Sequence, residues 1–153
     1  MRQGQPIYLY PAGGRKQLSY ASFSGEDNAL HERILIVEDN PQNMRLIEMT
    51  LRSGEYTLLR AVDGEEALAV AIRESPDLII MDIQLPKMSG LEVTQRLRQL
   101  PEFANTPIIA LTAYAMKGDE KKFLQAGCSA YLAKPINTRE LPRLVAEMLA
   151  KKK

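Results

Sequence analysis

The sequence predicts an α/β protein in which a parallel β-sheet is covered by helices on both faces. Short, almost wholly apolar runs recur from residue 33 onward, and such runs are typical of strands buried on both faces of a sheet. Stretches with helical periodicity separate these runs, and strands that alternate with helices form parallel sheets.

Local signals place each element along the chain. Asn40 is positioned to cap the first helix with Pro41 at its first turn, and Asp63 to cap the second. Gly54 and Gly127 stand where we expect helices to stop. The predicted strands are 33–38, 56–62, 77–82, 106–111 and 129–133, and the predicted helices are about 41–53, 64–74, 89–100, 115–126 and 138–150.

Composition limits the classes of partner and site. The chain has 153 residues, of which 45% are hydrophobic, enough for one sizeable core. Its net charge is +1, from 20 basic and 19 acidic residues, so we expect neither nucleic acid nor a membrane as partner. Cys128 and His31 are the sole residues of their types, which excludes an internal disulfide and a Cys/His zinc site. We interpret Cys128 as a buried core residue.

The two ends of the chain lead to further expectations. Residues 1–32 are rich in glycine, tyrosine and serine and have no sustained periodicity, so we predict a flexible extension before a domain at 33–153. No apolar stretch approaches the roughly 20 residues that span a bilayer, and no signal peptide is evident at the N-terminus. We therefore predict a cytoplasmic protein without a separate output domain.

Acidic residues follow two of the buried strands at the point where each strand ends. Asp82 directly follows the apolar run 78–81, and Glu38 and Asp39 follow the run 34–37. Right-handed crossovers bring the carboxyl ends of parallel strands to one rim of the sheet, where open α/β sheets bind ligands. Clustered carboxylates either raise one another's pKa or bind a cation. Ligands that are all oxygen favour Mg²⁺.

Two further strands end in residues that extend this cluster. Thr112 ends the fourth apolar run, and Lys134 follows the fifth. Singly, the threonine would be read as a helix cap and the lysine as a surface side chain. Beside three carboxylates they define a site for a dianionic group, in which the metal and the ammonium neutralise charge and the hydroxyl donates a hydrogen bond. Phosphoryl transfer requires these parts.

The order Glu38-Asp39, Asp82, Thr112-Ala113 and Lys134-Pro135 resembles the receiver domain of bacterial response regulators. The resemblance covers about residues 33–151. It implies a (βα)5 flavodoxin-like fold with a five-stranded parallel sheet of order 2-1-3-4-5. It also implies that a histidine kinase or a histidine phosphotransfer protein donates a phosphoryl group to the chain.

The resemblance assigns the metal ligands and the nucleophile. Asp82 is expected to form an aspartyl phosphate. Asp39 and Asp82 are expected to bind Mg²⁺ directly, Glu38 through a water molecule, and Gln84 through its backbone carbonyl oxygen.

The same resemblance assigns the groups that respond to the phosphate. Lys134 and Thr112 are expected to contact phosphoryl oxygens, and the peptide bond between Lys134 and Pro135 to be cis. Tyr131 corresponds to an aromatic rotamer switch, although a half-buried tyrosine with one fixed rotamer would also suit a strand. Met116, Tyr131 and the last helix would form the surface that a downstream protein reads, and phosphorylated copies would pair into a homodimer.

Several rival functions remain open at this stage. A haloacid-dehalogenase-type phosphatase requires an acid where Gln84 stands, and a flavodoxin requires a phosphate-binding loop where the acidic Glu38-Asp39 stands. A receiver-fold module that works without phosphorylation is the strongest rival, although such modules usually lack one of the five groups. A shuttle that passes its phosphoryl group to a histidine is a further alternative.

Overall fold

Five parallel strands form a single sheet in the order β2-β1-β3-β4-β5. The computed structural model describes residues 31–113 and 118–152. The strands are β1 (Glu32–Val37), β2 (Tyr56–Ala61), β3 (Leu78–Asp82), β4 (Ile108–Thr112) and β5 (Ala130–Ala133). The predicted fold class and strand order are therefore confirmed.

The helices alternate with these strands along the chain. They are α1 (Pro41–Thr50), α2 (Gly64–Glu74), α3 (Gly90–Arg98), α4 (Asp119–Ala126) and α5 (Glu140–Lys152), with a short 3-10 turn at Pro101–Phe103 that was not predicted. None of the helices in the described part of the chain is long and apolar enough to cross a bilayer.

The core lies on both faces of the sheet, which is why the central strands are mostly apolar. Every residue of β3 and β4 is buried. Side chains of α1 and α5 pack on one face, and side chains of α2 and α3 pack on the other. Phe123 of α4 joins Ala110 and Cys128 in a smaller cluster, and Cys128 is buried, as predicted.

The predicted helix starts are made by side-chain caps. The Asn40 side chain accepts a hydrogen bond from the Asn43 amide at 2.9 Å, and Pro41 occupies the first turn of α1. The Asp63 carboxylate accepts a hydrogen bond from the Glu66 amide at 2.8 Å at the start of α2. Each cap satisfies an amide that has no partner within the helix.

Helix ends were predicted less well than helix starts. Gly127 is the left-handed C-cap of α4, with φ of 110°, as expected. In contrast, α1 ends at Thr50 with Leu51 as its C-cap, because the chain turns there and the Gly54 amide donates to the Leu51 carbonyl at 3.1 Å. The expectation that α1 reaches Gly54 was wrong.

Some predictions fall outside the described residues. Helix α4 begins at Asp119 after Gly118, whereas the predicted start at 115 and Met116 lie in the range 114–117, which is not described. Residues 1–30 of the predicted extension are also not described. Strand β1 includes Glu32, one residue before the predicted domain boundary.

Candidate functional site

Three carboxylates meet at the carboxyl ends of β1 and β3. Glu38 and Asp39 follow β1, and Asp82 is the last residue of β3. One oxygen atom from each of the three lies within 4.8 Å of the others. Glu38 and Asp82 are buried, whereas Asp39 is exposed. The structure thus brings together the three acids predicted from the sequence.

Lys134 places its ammonium between the two buried acids. Its Nζ lies 3.1 Å from Glu38 Oε1 and 3.2 Å from Asp82 Oδ2. The residue follows β5, and its peptide bond to Pro135 is cis, as predicted. Its backbone amide donates to the Thr112 carbonyl at 2.7 Å, which ties the Lys134 backbone to the end of β4.

The pKa values of Glu38 and Lys134 are both raised. Burial raises the pKa of Glu38, and the neighbouring Asp82 charge adds to this, while the Asn40 amide and Lys134 act in the opposite direction without cancelling it. Partial burial lowers the pKa of Lys134, but attraction to Asp82 and Glu38 outweighs burial and raises it overall. The ammonium is therefore charged at neutral pH.

Thr112 and Gln84 complete the rim. Thr112 is buried at the end of β4, one position beyond Leu111, the register partner of Asp82. The Gln84 amide donates to Asp82 Oδ1 at 3.0 Å, and its side-chain oxygen accepts from the Ala113 amide at 3.4 Å. This side-chain link between the loops after β3 and β4 was not foreseen. That the Gln84 backbone carbonyl oxygen binds Mg²⁺ stays a prediction.

Tyr131 lies on β5 on the side of the sheet that α4 covers. Its ring is 5.6 Å from the Phe123 ring between centroids, at an interplanar angle of 56°. It is partly buried against the cluster of Ala110, Phe123 and Cys128. The structure therefore places Tyr131 between β5 and α4, and its role as a switch stays a prediction.

Gly90 is a site residue that the sequence did not single out. A Cβ at this position would lie 2.2 Å from the backbone oxygen of Asp82, and the Gly90 amide donates to the Ile83 carbonyl at 2.9 Å. Helix α3 therefore begins in direct contact with the backbone of Asp82. The available signal was a glycine directly after the Ser89 N-cap, where glycine has little helix propensity.

The donor set suits a hard divalent cation. Glu38, Asp39 and Asp82 offer only carboxylate oxygens, the ligands that Mg²⁺ prefers over nitrogen or sulfur. Burial is the main cause of the raised pKa of Glu38, and the neighbouring Asp82 charge adds to it.

Comparisons with known proteins agree with this geometry. A family model of the response regulator receiver domain matches residues 34–146. The polar-differentiation response regulator DivK of Brucella anthropi is 48% identical over 112 residues, which cover 73% of this chain and 89% of that protein.

Solved structures show the same likeness. The receiver domain of sensor histidine kinase PA1611 from Pseudomonas aeruginosa, with a magnesium ion coordinated in its active site cleft, is 42% identical with a TM-score of 0.72, and the match covers 78% of this chain and 98% of that one. Chemotaxis response regulator CheY4 of Vibrio cholerae is 29% identical with a TM-score of 0.73, over 77% and 98% of the two chains. With this fold and these acids at the sheet rim, the chain belongs to the response regulator receiver domain family.

Proposed function

We propose that this protein accepts a phosphoryl group on Asp82 from a phosphohistidine of a histidine kinase or histidine phosphotransfer protein. It is a signalling domain of two-component systems rather than an enzyme that turns over a substrate. The observation that supports this most directly is the Asp82 carboxylate, which is buried, hydrogen-bonded at both oxygens, and surrounded by the groups that phosphoryl transfer requires.

Asp82 would act as the nucleophile. A carboxylate oxygen attacks phosphorus, the bond between phosphorus and the imidazole nitrogen breaks, and the nitrogen keeps the electron pair. The Gln84 amide orients one oxygen and the Lys134 ammonium the other. Held in this way, the carboxylate needs little rearrangement to reach an in-line geometry.

Lys134 and Thr112 would stabilise the transferred group. The Lys134 ammonium already lies within 3.2 Å of Asp82, so it is placed to neutralise charge on a phosphoryl oxygen. The Thr112 hydroxyl, at the end of the adjacent strand, would donate a hydrogen bond to another such oxygen.

Mg²⁺ would bind at Glu38, Asp39, Asp82 and the Gln84 carbonyl, and the magnesium ion in the cleft of the PA1611 receiver supports this. When bound, the ion would supply positive charge that reduces repulsion between the acids and the incoming phosphoryl group. Glu38, whose two oxygens already accept from Lys134 and the Asn40 amide, would bind through a water molecule.

The phosphorylated domain would signal through protein contacts. We place this output at Tyr131 and the surface of α4, β5 and α5, where a downstream protein or a second copy would dock in the cytoplasm. The domain would comprise residues 33–153, with 1–32 as an extension. Population shift between two states would transmit the signal, because phosphorylation favours whichever state it stabilises more.

Intact-mass measurement with acetyl phosphate and Mg²⁺ tests this function. We expect the native chain to gain one phosphoryl group, Asp82→Asn to gain none, and the matched control Asp119→Asn to behave like the native chain. Chelation of Mg²⁺ should abolish the gain. If the native chain gains nothing, a module that works without phosphorylation replaces this proposal. If Asp82→Asn gains the same mass, another residue is the acceptor.

A further inference from the structure

Helix α3, which begins against the backbone of Asp82, has a polar residue on its buried face. The buried residues of this helix are Gly90, Val93, Thr94 and Leu97. Thr94 is fully buried among them. Burying a hydroxyl lowers stability unless the hydroxyl is hydrogen-bonded, so the Thr94 hydroxyl requires a hydrogen-bond partner.

The hydrogen-bond acceptor of the Thr94 hydroxyl is defined. Its Oγ1 donates to the Gly90 carbonyl at 2.8 Å. A hydroxyl has one proton, and the Gly90 carbonyl accepts it, which satisfies this buried donor.

The Gly90 carbonyl that Thr94 holds belongs to the residue in contact with Asp82. The Gly90 amide donates to the Ile83 carbonyl, and a Cβ at Gly90 would lie 2.2 Å from the Asp82 oxygen. A threonine bonded to the carbonyl four residues earlier is common in helices. This one is distinguished by its complete burial and by its acceptor, because Gly90 is the residue packed against the backbone of Asp82.

We propose that Thr94 is a positioning residue for Asp82. Its hydroxyl, bonded to the Gly90 carbonyl, sets the first turn of α3 and through Gly90 the backbone of Asp82. This inference rests on the proposed role of Asp82. In-line attack is sensitive to displacement, since a shift of about 1 Å costs on the order of a hundredfold in rate.

Three substitutions test the role of the hydroxyl. Thr94→Val keeps the shape of the side chain and removes the hydroxyl, while Thr94→Ser keeps the hydroxyl and removes the methyl group. The matched control is Thr106→Val, which removes another buried threonine hydroxyl at the amino-terminal end of β4. The rate constant for phosphorylation by acetyl phosphate is measured for each full-length chain at saturating Mg²⁺, well below its melting temperature.

We expect Thr94→Val to be phosphorylated about fivefold more slowly, consistent with a displacement of the Asp82 carboxylate by a fraction of an ångström. Thr94→Ser and Thr106→Val should stay within about twofold of the native rate, since the first keeps the hydrogen bond to Gly90 and the second lies at the opposite end of the sheet from Asp82. The inference is overturned if Thr94→Val reacts at the native rate, or if Thr94→Ser or Thr106→Val slows the reaction as much.

Amide NMR spectra separate this inference from the proposed function. The Asp82, Ile83 and Gly90 amide signals should shift in Thr94→Val and remain in place in Thr106→Val. Should the native chain take up no phosphoryl group, the proposed function fails, and these signals alone decide whether Thr94 positions Asp82. Unchanged signals in Thr94→Val would refute the positioning role.

Discussion

Lys134 is the residue on which the charge balance of the site depends. Its ammonium is the partner of two buried carboxylates. Burial, to which the Asp82 charge adds, raises the pKa of one of them, Glu38. Removing one member of a buried ion pair costs more than the pair itself contributes, because the remaining charge stays buried. We therefore expect the lysine to affect both the stability of the domain and its affinity for the proposed Mg²⁺ ion.

Replacing Lys134 by methionine should change these two properties in opposite directions. Without Mg²⁺ we expect the free energy of unfolding to fall by about 2 kcal/mol, less than for a fully buried pair because the lysine is partly exposed. Mg²⁺ should bind more tightly, since no ammonium competes for the acids. Urea denaturation and calorimetric titration measure the two quantities.

The control for this change is Lys151→Met, which removes an exposed ion pair with Glu147 and should alter neither quantity measurably. Weaker Mg²⁺ binding by Lys134→Met would contradict the expectation that the ammonium and the cation compete.

The C-terminal end of α2 shows how an element is joined to its neighbours. Glu74 pairs with Arg33 of β1 and with Arg73, 3.0 Å away. Burial alone would raise the pKa of Glu74, but the two arginines outweigh burial and lower it. Ser75, the C-cap, adopts a left-handed conformation with φ of 49°. The ion pairs of Glu74 thus link the last turn of α2 to β1, and Ser75 ends the helix in a strained conformation.

Glu74 should make stability depend on pH. Because its pKa is lowered on folding, its contribution is fully present above the unfolded value near 4.5 and is lost as pH falls through the folded pKa. Glu74→Gln should therefore lower the free energy of unfolding by about 1 kcal/mol at pH 7, and the difference from the native chain should shrink below pH 4.5. Urea denaturation at several pH values measures this.

Glu55→Gln, at an exposed position in the loop before β2, is the control and should show no such dependence. If the free energies of unfolding of the native chain and Glu74→Gln differ by a constant amount down to pH 3, the two arginines do not lower the pKa of Glu74.

Ser75→Gly should stabilise the protein by about 0.5 kcal/mol, because glycine adopts the left-handed C-cap conformation without steric strain. The hydrogen bond from the residue 75 amide to the Ala71 carbonyl is kept. Ser75→Ala keeps the strain and should give no gain. Thermal and urea denaturation compare the variants, and equal stability of the glycine and alanine variants would rule out strain as the cause.

At the scale of the whole molecule, the site depends on the parallel sheet. Lys134 reaches Glu38 across 96 positions of sequence, because both residues follow strands whose carboxyl ends lie at one rim. The core on both faces holds these strands in register. The site residues therefore come together only when these strands are paired in the sheet.

We predict that a chain comprising residues 31–153 folds as the intact domain does, because both faces of the sheet are covered by helices within this range. Its free energy of unfolding should agree with that of the full chain within about 0.5 kcal/mol, and it should phosphorylate at the same rate. Chemical denaturation and intact mass provide the comparison. A loss of more than 2 kcal/mol would show that residues 1–30 belong to the folded unit.

Features that depend on neighbours along the chain are readable from the sequence. Apolar runs predict the buried central strands because helices cover both faces of the sheet, and Asp63 predicts a helix start because its cap reaches an amide three residues away. The residues that end the strands predict the site, since parallel topology brings all of them to one rim. Thus Asp82 and Lys134 were both identified from their positions after apolar runs.

Features that depend on distances between separate segments are visible only in the folded protein. Gly90 lies against the Asp82 backbone because α3 packs close to β3. Gln84 reaches Ala113 because two loops meet at the rim. Helix α1 stops at Thr50 because the chain turns toward β2 before the glycine is reached. Each of these depends on packing between elements, which patterns within single elements do not encode.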